Sequence, residues 1–78
     1  MKTEALNISR QQKSFLAEYG VVYDFGNMTD EDFCNLEDDV ADILLGYGMK
    51  ENFRIGDDIF YIENEIGDMA HTILALLA

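Results

Sequence analysis

The sequence predicts an all-α fold, a compact domain of three helices at about residues 9–19, 29–47 and 58–77. Three observations predict it: apolar residues recur at steps of three and four, helix-start residues precede the periodic stretches, and the chain contains no proline. With 78 residues, 49% of them hydrophobic, the chain can build one core. We therefore expect a single acidic helical domain over residues 1–78.

The first predicted helix begins at Ser9, which stands three residues before Gln12 at the spacing of a capping box. Gly20 follows the last apolar position, where a left-handed residue commonly ends a helix. The next residues, 21–25, are β-prone and lack an obvious strand partner. We expect them to form an extended connector whose side chains pack into the core.

The second predicted helix has the clearest local signals. Thr29 is a favourable N-cap, residues 30–32 place three carboxylates in the first turn, and Gly48 follows the last apolar position. Apolar residues at helical spacing define the face expected to hold the core together: Phe33, Leu36, Val40, Ile43, Leu44 and Tyr47.

The third predicted helix begins after a cap at Asp57 or Asp58, and Gly67 inside it would permit close helix packing. Its apolar positions are Ile59, Ile62, Ile66, Met69, Ile73 and Leu76. The alternative is an α+β fold. In that fold, apolar residues that alternate over about 53–62 would form a short hairpin around Gly56.

The charge of the chain excludes some partners and favours others. Sixteen acidic residues oppose five basic ones, for a net charge of −11, which disfavours direct binding to nucleic acid or to anionic membranes. Residues 14–49 contain nine acidic and no basic residues. A basic protein surface is the natural partner of such a region, although high charge also serves solubility alone.

Projection of the second helix places its acidic side chains opposite the predicted core face. With Val40 facing the core, three carboxylates lie on the far side and two on one flank. We predict that these five residues form a partner-binding surface that resembles a phosphate backbone: Glu31, Asp38, Asp42, Asp32 and Asp39. The alternative is that they are simply solvated.

The third helix offers a different interface. Its apolar positions cover more than one narrow seam, and its last six residues contain no polar side chain. Either an intramolecular core or a homodimer would bury them. For the homodimer, the predicted interface consists of Ile66, Met69, Ile73 and Leu77.

No catalytic, metal-binding or cofactor-binding pattern is present in the sequence. Cys34 and His71 supply only two of the four ligands that a zinc site needs, and a Cys–His nucleophilic pair would require the fold to bring them together. We therefore expect a protein that is not an enzyme and binds no cofactor. With a single cysteine, no apolar leader and no apolar run of about 20 residues, it is expected in the cytoplasm.

The stretch from Met28 to Phe53 resembles a group of small uncharacterised proteins from Gram-positive bacteria and their mobile elements. The resemblance covers about a third of the chain and consists of an acidic helix start, a Glu-Asp-x-Val-x-Asp helix and a Gly-x-x-Glu-Asn-aromatic ending. The matching residues are Thr29, Asp30, Glu31, Glu37, Asp38, Val40, Asp42, Gly48, Glu51, Asn52 and Phe53. It implies phage or mobile-element biology, in which small acidic proteins block DNA-handling defence enzymes.

Together these observations predict a non-enzymatic acidic protein-binding module. Its sharpest form is a nucleic-acid mimic of the anti-CRISPR or anti-restriction type, which inhibits a DNA- or RNA-handling protein by occupying its basic surface. The alternative is a structural homo-oligomer or accessory protein that associates through the C-terminal helix.

Overall fold

Three helices and one antiparallel hairpin make up the computed structural model, which describes residues 2–78. In chain order the elements are α1 (Arg10–Glu18), α2 (Asp30–Tyr47), β1 (Met49–Ile55), β2 (Asp58–Glu63) and α3 (Glu65–Leu77). The fold is therefore α+β, and the prediction of an all-α three-helix bundle was wrong. The alternative, a hairpin in this region, was correct, although the strands extend beyond residues 53–62 at both ends.

The error lies in the predicted helix at residues 58–77, whose first part is strand β2. Residues 59–62 are four consecutive aromatic or β-branched residues, which lose side-chain freedom in a helix and fit a pleated strand. Gly56 at the turn has a φ of 61°, a conformation that favours glycine. Helix α3 begins only at Glu65, and its N-cap is Asn64 rather than Asp57 or Asp58.

The first two helices form where their local signals predict them. Ser9 and Gln12 make the predicted capping box, and Gly20 has a φ of 75° just after α1. A second capping box joins Thr29 to Asp32 at the start of α2. Residues 21–24 form no strand and instead make the expected extended connector.

The core lies between α2 and α3, and α1 and the connector cover it. The N-terminal segment is also tied in, because Glu4 and Met28 exchange two backbone hydrogen bonds of 2.8 Å. The buried apolar residues are Ile8, Leu16, Met28, Leu36, Val40, Ile43, Ala70 and Ile73. We refer to the three helices with the N-terminal segment and the connector as the helical body.

A tight joint connects the helical body to the hairpin. Gly48, which follows α2, lies backbone against backbone on Gly67 of α3, so that a Cβ atom on Gly48 would lie 2.7 Å from the Gly67 Cα atom. Asn64 reinforces the joint: its backbone N–H donates to the Gly48 carbonyl (2.9 Å) and its side-chain amide donates to the Tyr47 carbonyl (2.8 Å). The Asn64 side-chain oxygen also accepts from the Gly67 N–H at 3.0 Å. These contacts hold the two ends of the hairpin together.

The hairpin projects from the helical body and makes the molecule long. The principal extents are 52 × 22 × 19 Å, and the radius of gyration is 14.6 Å. A compact domain of this length would have a radius of gyration of about 11.5 Å. The hairpin contacts the helices mainly near its base, where Met49 and Glu63 are partly buried and the other strand residues are exposed.

Candidate protein-binding surface

The acidic surface of α2, defined by Glu31, Asp38 and Asp42, is exposed along the helix. These carboxylates were predicted opposite the core face, and Val40 on that face is fully buried. Among the residues that the structure describes, none of the three makes a side-chain hydrogen bond or an ion pair. All three carboxylates therefore face solvent and can meet a partner.

The two flanking acids have structural roles as well. The Asp32 carboxylate accepts a hydrogen bond of 3.0 Å from the Thr29 backbone N–H and so completes the capping box. The Asp39 carboxylate accepts a hydrogen bond of 2.8 Å from the Tyr23 hydroxyl. Burial of Tyr23 and this bond to Asp39 raise the pKa of the Tyr23 phenol to about 12. Asp39 thus joins the connector to α2, whereas Asp32 stabilises the start of α2, and both stay partly exposed.

The basic side chains lie elsewhere and leave the charge of α2 uncompensated. Lys13 places its ammonium group 6.0 Å from the centre of the Phe25 ring in the connector. In the hairpin, the Arg54 Nε atom lies 3.3 Å from a Glu51 carboxylate oxygen. Because α2 itself contains no lysine or arginine, like charges at helical spacing weaken it slightly, by a few tenths of a kcal/mol per pair.

A cleft beside the acidic surface combines carboxylates with aromatic rings. It is open, has a volume of about 440 Å³, and lies between the end of α1 and the outer side of α2. The rings of Tyr19 and Tyr47 stand 5.2 Å apart, centre to centre, on its wall. The residues that line it are Glu18, Tyr19, Val21, Asp39, Asp42, Ile43 and Tyr47.

The chemistry of this cleft suits the side chain of a lysine or arginine from another protein. Carboxylates attract the cationic group, and the tyrosine rings offer surfaces on which a cation or an aliphatic stem can lie. Periodicity placed Tyr47 on the core face of α2, but its side chain is 60% exposed. The sequence could not reveal the cleft, because it arises where α1 packs beside α2.

The residues predicted as a dimer interface lie mostly inside the helical body. Ile73 is fully buried, and the other three are partly buried against the core: Ile66, Met69 and Leu77. The interior of a single copy therefore accounts for most of the apolar face of α3. A dimer formed through this helix stays a prediction, and only the partly exposed side chains could contribute to it.

Within residues 2–78, no three or more His, Cys, Asp or Glu side chains are grouped so as to hold a metal ion. Cys34 is exposed and lies at a cleft beside the C-terminal end of α3. His71 instead places its Nδ1 atom 2.7 Å from a Glu63 carboxylate oxygen. The fold therefore does not pair Cys34 with His71.

No helix in the described part of the chain is both long enough and apolar enough to cross a membrane. Comparison of the chain with models of protein families, with curated proteins and with solved structures finds no match. What the protein does is therefore inferred from its own surfaces. Of these, the acidic surface of α2 with its adjoining cleft has the most specific chemistry.

Proposed function

We propose that this protein is a non-enzymatic, cytoplasmic module that binds the basic surface of a nucleic-acid-binding protein. The observation that carries the proposal is the exposure of Glu31, Asp38 and Asp42 along one side of α2 without a basic neighbour. A helix that needed only solubility could interleave lysines with these acids and gain stabilising pairs instead of repulsive ones.

The spacing of the carboxylates supports mimicry of nucleic acid. The acidic surface spans residues 31–42, which at 1.5 Å per residue is about 16 Å of helix. A protein channel that binds DNA presents lysines and arginines to phosphates, and carboxylates held on a rigid helix can occupy the same groups. Binding of this kind keeps the nucleic acid out of the partner's basic site and so inhibits the partner.

The cleft adds specificity to this charge attraction. A lysine or arginine of the partner that enters the cleft would lie beside the Tyr19 and Tyr47 rings and would meet Asp42 and Glu18 at the same site. An aromatic contact strengthens the binding of a cation by about 0.5–2 kcal/mol, and the cleft restricts where that cation can sit. Surface charge selects basic proteins in general, and the cleft favours a particular docking register.

The resemblance of residues 28–53 to small proteins of bacterial mobile elements supports a particular class of target. The partner would be a defence enzyme that handles DNA or RNA, and the protein would be an inhibitor of the anti-CRISPR or anti-restriction type. The resemblance includes six acidic residues, all of them exposed. Three of these, Glu31, Asp38 and Asp42, also belong to the proposed surface.

The experiment is affinity capture from an extract of the source cells, followed by identification of the retained protein. A triple variant that carries Glu31→Lys, Asp38→Lys and Asp42→Lys should lose the partner. The matched control reverses three exposed acids elsewhere: Glu4→Lys, Asp24→Lys and Asp57→Lys. Each triple raises the net charge by 6, from −11 to −5, so the two differ only in where the charge changes.

We expect the wild type and the control triple to retain the same nucleic-acid-binding protein. Rising salt should release it steeply, and a DNA or RNA ligand of the captured protein should compete for it. If both triples bind alike, or if the partner withstands high salt and nucleic acid, the acidic surface is not the binding site.

A further inference from the structure

The two faces of the hairpin differ in chemistry, and the register of the strands shows which residues share a face. Residues directly opposite each other on antiparallel strands point to the same side of a sheet. Lys50 pairs with Ile62, Phe53 with Phe60, and Ile55 with Asp58. Asn52 is the extra residue of a bulge, and it brings these three pairs onto one face.

Two contacts confirm this assignment. The Phe53 and Phe60 rings are stacked, with centres 4.6 Å apart and an interplanar angle of 11°. On the opposite face, Arg54 and Glu51 make an ion pair although they are three residues apart in a strand, where only even spacings normally share a face. The bulge at Asn52 between them accounts for that spacing.

The first face, which we call the apolar hairpin face, is formed by Phe53, Ile55, Phe60 and Ile62. These side chains are 47%, 64%, 43% and 46% exposed, respectively. The opposite face contains the Arg54–Glu51 ion pair, and at its base Glu63 contacts His71 and Tyr61 shares a cleft with Leu45 of α2. Ile59 and Tyr61 also lie on that face, 36% and 61% exposed, and only its base lies against the helical body. The apolar hairpin face is therefore the one with four apolar side chains in a continuous patch that no helix of the described chain covers.

We propose that the apolar hairpin face binds the same face of a second copy of this chain, with the two hairpins antiparallel. The four side chains form a continuous apolar surface on an isolated two-stranded hairpin, which is marginally stable without a covered face. Face-to-face packing removes this surface from water in both copies. This inference is independent of the proposed function of the acidic surface.

The charges on the face identify a second copy as the occupant. Lys50 stands at the base of the apolar hairpin face and Asp58 at its tip. Antiparallel stacking brings the base of one hairpin to the level of the tip of the other, so that Lys50 of each copy lies level with Asp58 of the other. Parallel stacking would place lysine level with lysine and aspartate level with aspartate. The face is thus complementary to itself in the antiparallel orientation.

The charge of the helical bodies selects the same orientation. Each copy carries a net charge of −11, and most of its acidic residues lie outside the hairpin. Antiparallel stacking places the two bodies at opposite ends of the paired hairpins, about 20 Å of strand apart. Parallel stacking would bring both bodies to the same end, where they would repel each other.

The size of the face indicates a weak, reversible dimer. A phenylalanine side chain buries about 150–250 Å² when fully covered, and isoleucine buries less. Two of each, all about half exposed, therefore offer roughly 350 Å² per copy. A standard protein interface buries about 800 Å² per partner. We therefore expect self-association in the micromolar range, with the monomer dominant in dilute solution.

The test is sedimentation velocity of the full chain, from low micromolar to several hundred micromolar concentration. The wild type should shift from monomer to dimer across this range. Phe60→Lys should weaken the dimer by at least about tenfold, because it places a charge at the centre of the apolar face. Tyr61→Lys, next to it in the strand but on the opposite face, is the matched control and should leave the dimer intact.

A charge exchange tests the antiparallel orientation with variants at exposed positions that leave the apolar side chains in place. Lys50→Asp and Asp58→Lys should each weaken the dimer by about two- to tenfold, since each creates a like-charge pair twice across the two-fold axis. The double variant should recover the affinity of the wild type. Raised salt should reduce the difference between the single and double variants.

Other results would overturn the proposal. A wild-type monomer at every concentration would reject the second copy as the occupant of the face. Equal losses with Phe60→Lys and Tyr61→Lys would indicate pairing through the edge of β2, where both faces matter equally. A double charge variant no better than the single ones would reject the antiparallel orientation.

Discussion

The helical body and the hairpin of this protein contain similar apolar residues but bury them to different extents. In the body, leucine, isoleucine and valine side chains from two helices interlock and are fully buried. In the hairpin, phenylalanine and isoleucine side chains of comparable size stay about half exposed. The body therefore removes its core apolar side chains from water, whereas the hairpin leaves much of its apolar surface in contact with water.

This difference shows that composition does not reveal where the stability of a small domain originates. Burial of apolar area supplies about 25 cal/mol per Å² only where water is removed, and in this chain that happens mainly between α2 and α3. The hairpin depends on its own strand pairing and on the joint at its base. The unused apolar surface of the hairpin is available for association.

The largest expected effect is on the free energy of unfolding, when isoleucine is replaced by alanine in the body or in the hairpin. Ile73→Ala in the core should lower the free energy of unfolding by about 2–5 kcal/mol, because it removes buried methyl groups and leaves a cavity. Ile55→Ala in the hairpin should change it by less than about 1 kcal/mol, since Ile55 is 64% exposed. Urea unfolding in dilute solution, where self-association is weakest, measures both. Equal losses would contradict the division into a packed body and an open hairpin.

A smaller effect concerns the joint between the two regions. Gly67→Ala should destabilise the protein by about 1–3 kcal/mol, because the new methyl group would collide with the Gly48 carbonyl oxygen. Gly46→Ala is the matched control, as this exposed helical glycine has open space around its Cβ position. The control should stabilise the protein by about 0.5–1 kcal/mol. If both substitutions had the same sign, the close approach of Gly48 and Gly67 would not matter for stability.

The smallest expected effect is the contribution of the Tyr23–Asp39 hydrogen bond to stability, which depends on pH. The folded protein holds the Tyr23 proton more tightly than the unfolded chain, in which tyrosine has a pKa near 10. The contribution of Tyr23 to stability is therefore complete below about pH 10 and is lost as the pH rises to about 12.

Thermal unfolding across this alkaline range should show the loss in the wild type and a smaller loss in Tyr23→Phe. Near pH 7, Tyr23→Phe should lower the free energy of unfolding by about 0.5–1.5 kcal/mol, because the variant loses the hydrogen bond to Asp39. Tyr61→Phe in the hairpin is the control near pH 7, because Tyr61 is 61% exposed and this variant should change the free energy of unfolding by less than about 0.5 kcal/mol. A profile of Tyr23→Phe identical to that of the wild type would argue against the Tyr23–Asp39 bond.

The elements with local signals were predictable from the sequence. Capping boxes at Ser9 and Thr29 involve residues three positions apart, and such contacts form wherever the helix forms. The core positions Leu36, Val40 and Ile43 followed from helical spacing. The exposure of Glu31, Asp38 and Asp42 followed from the same spacing, since it places them on the opposite side of α2.

For elements that depend on distant residues, the sequence left the hairpin as the alternative only and did not reveal the roles of Asn64 or the cleft. Ile59 and Ile62 are three residues apart, which fits a helix, but apolar residues also alternate over residues 53–62, which fits a strand. Only the pairing with residues 49–55 decides that this segment is a strand. Asn64 has no distinctive local pattern, and its role as cap and clamp depends on the Gly48 backbone being within reach. The cleft beside Tyr47 likewise requires α1 to lie next to α2.

The sequence by itself determined where α1 and α2 begin and end, which face of α2 is buried, and how strongly acidic its outer side is. These properties depend on hydrogen bonds and spacing within a few residues. Only the tertiary structure decided that residues 49–63 form a hairpin, that Gly48 meets Gly67, and that an apolar face stays uncovered. Those outcomes depend on contacts between segments whose separate preferences are nearly balanced, so the packing of the whole chain selects among them.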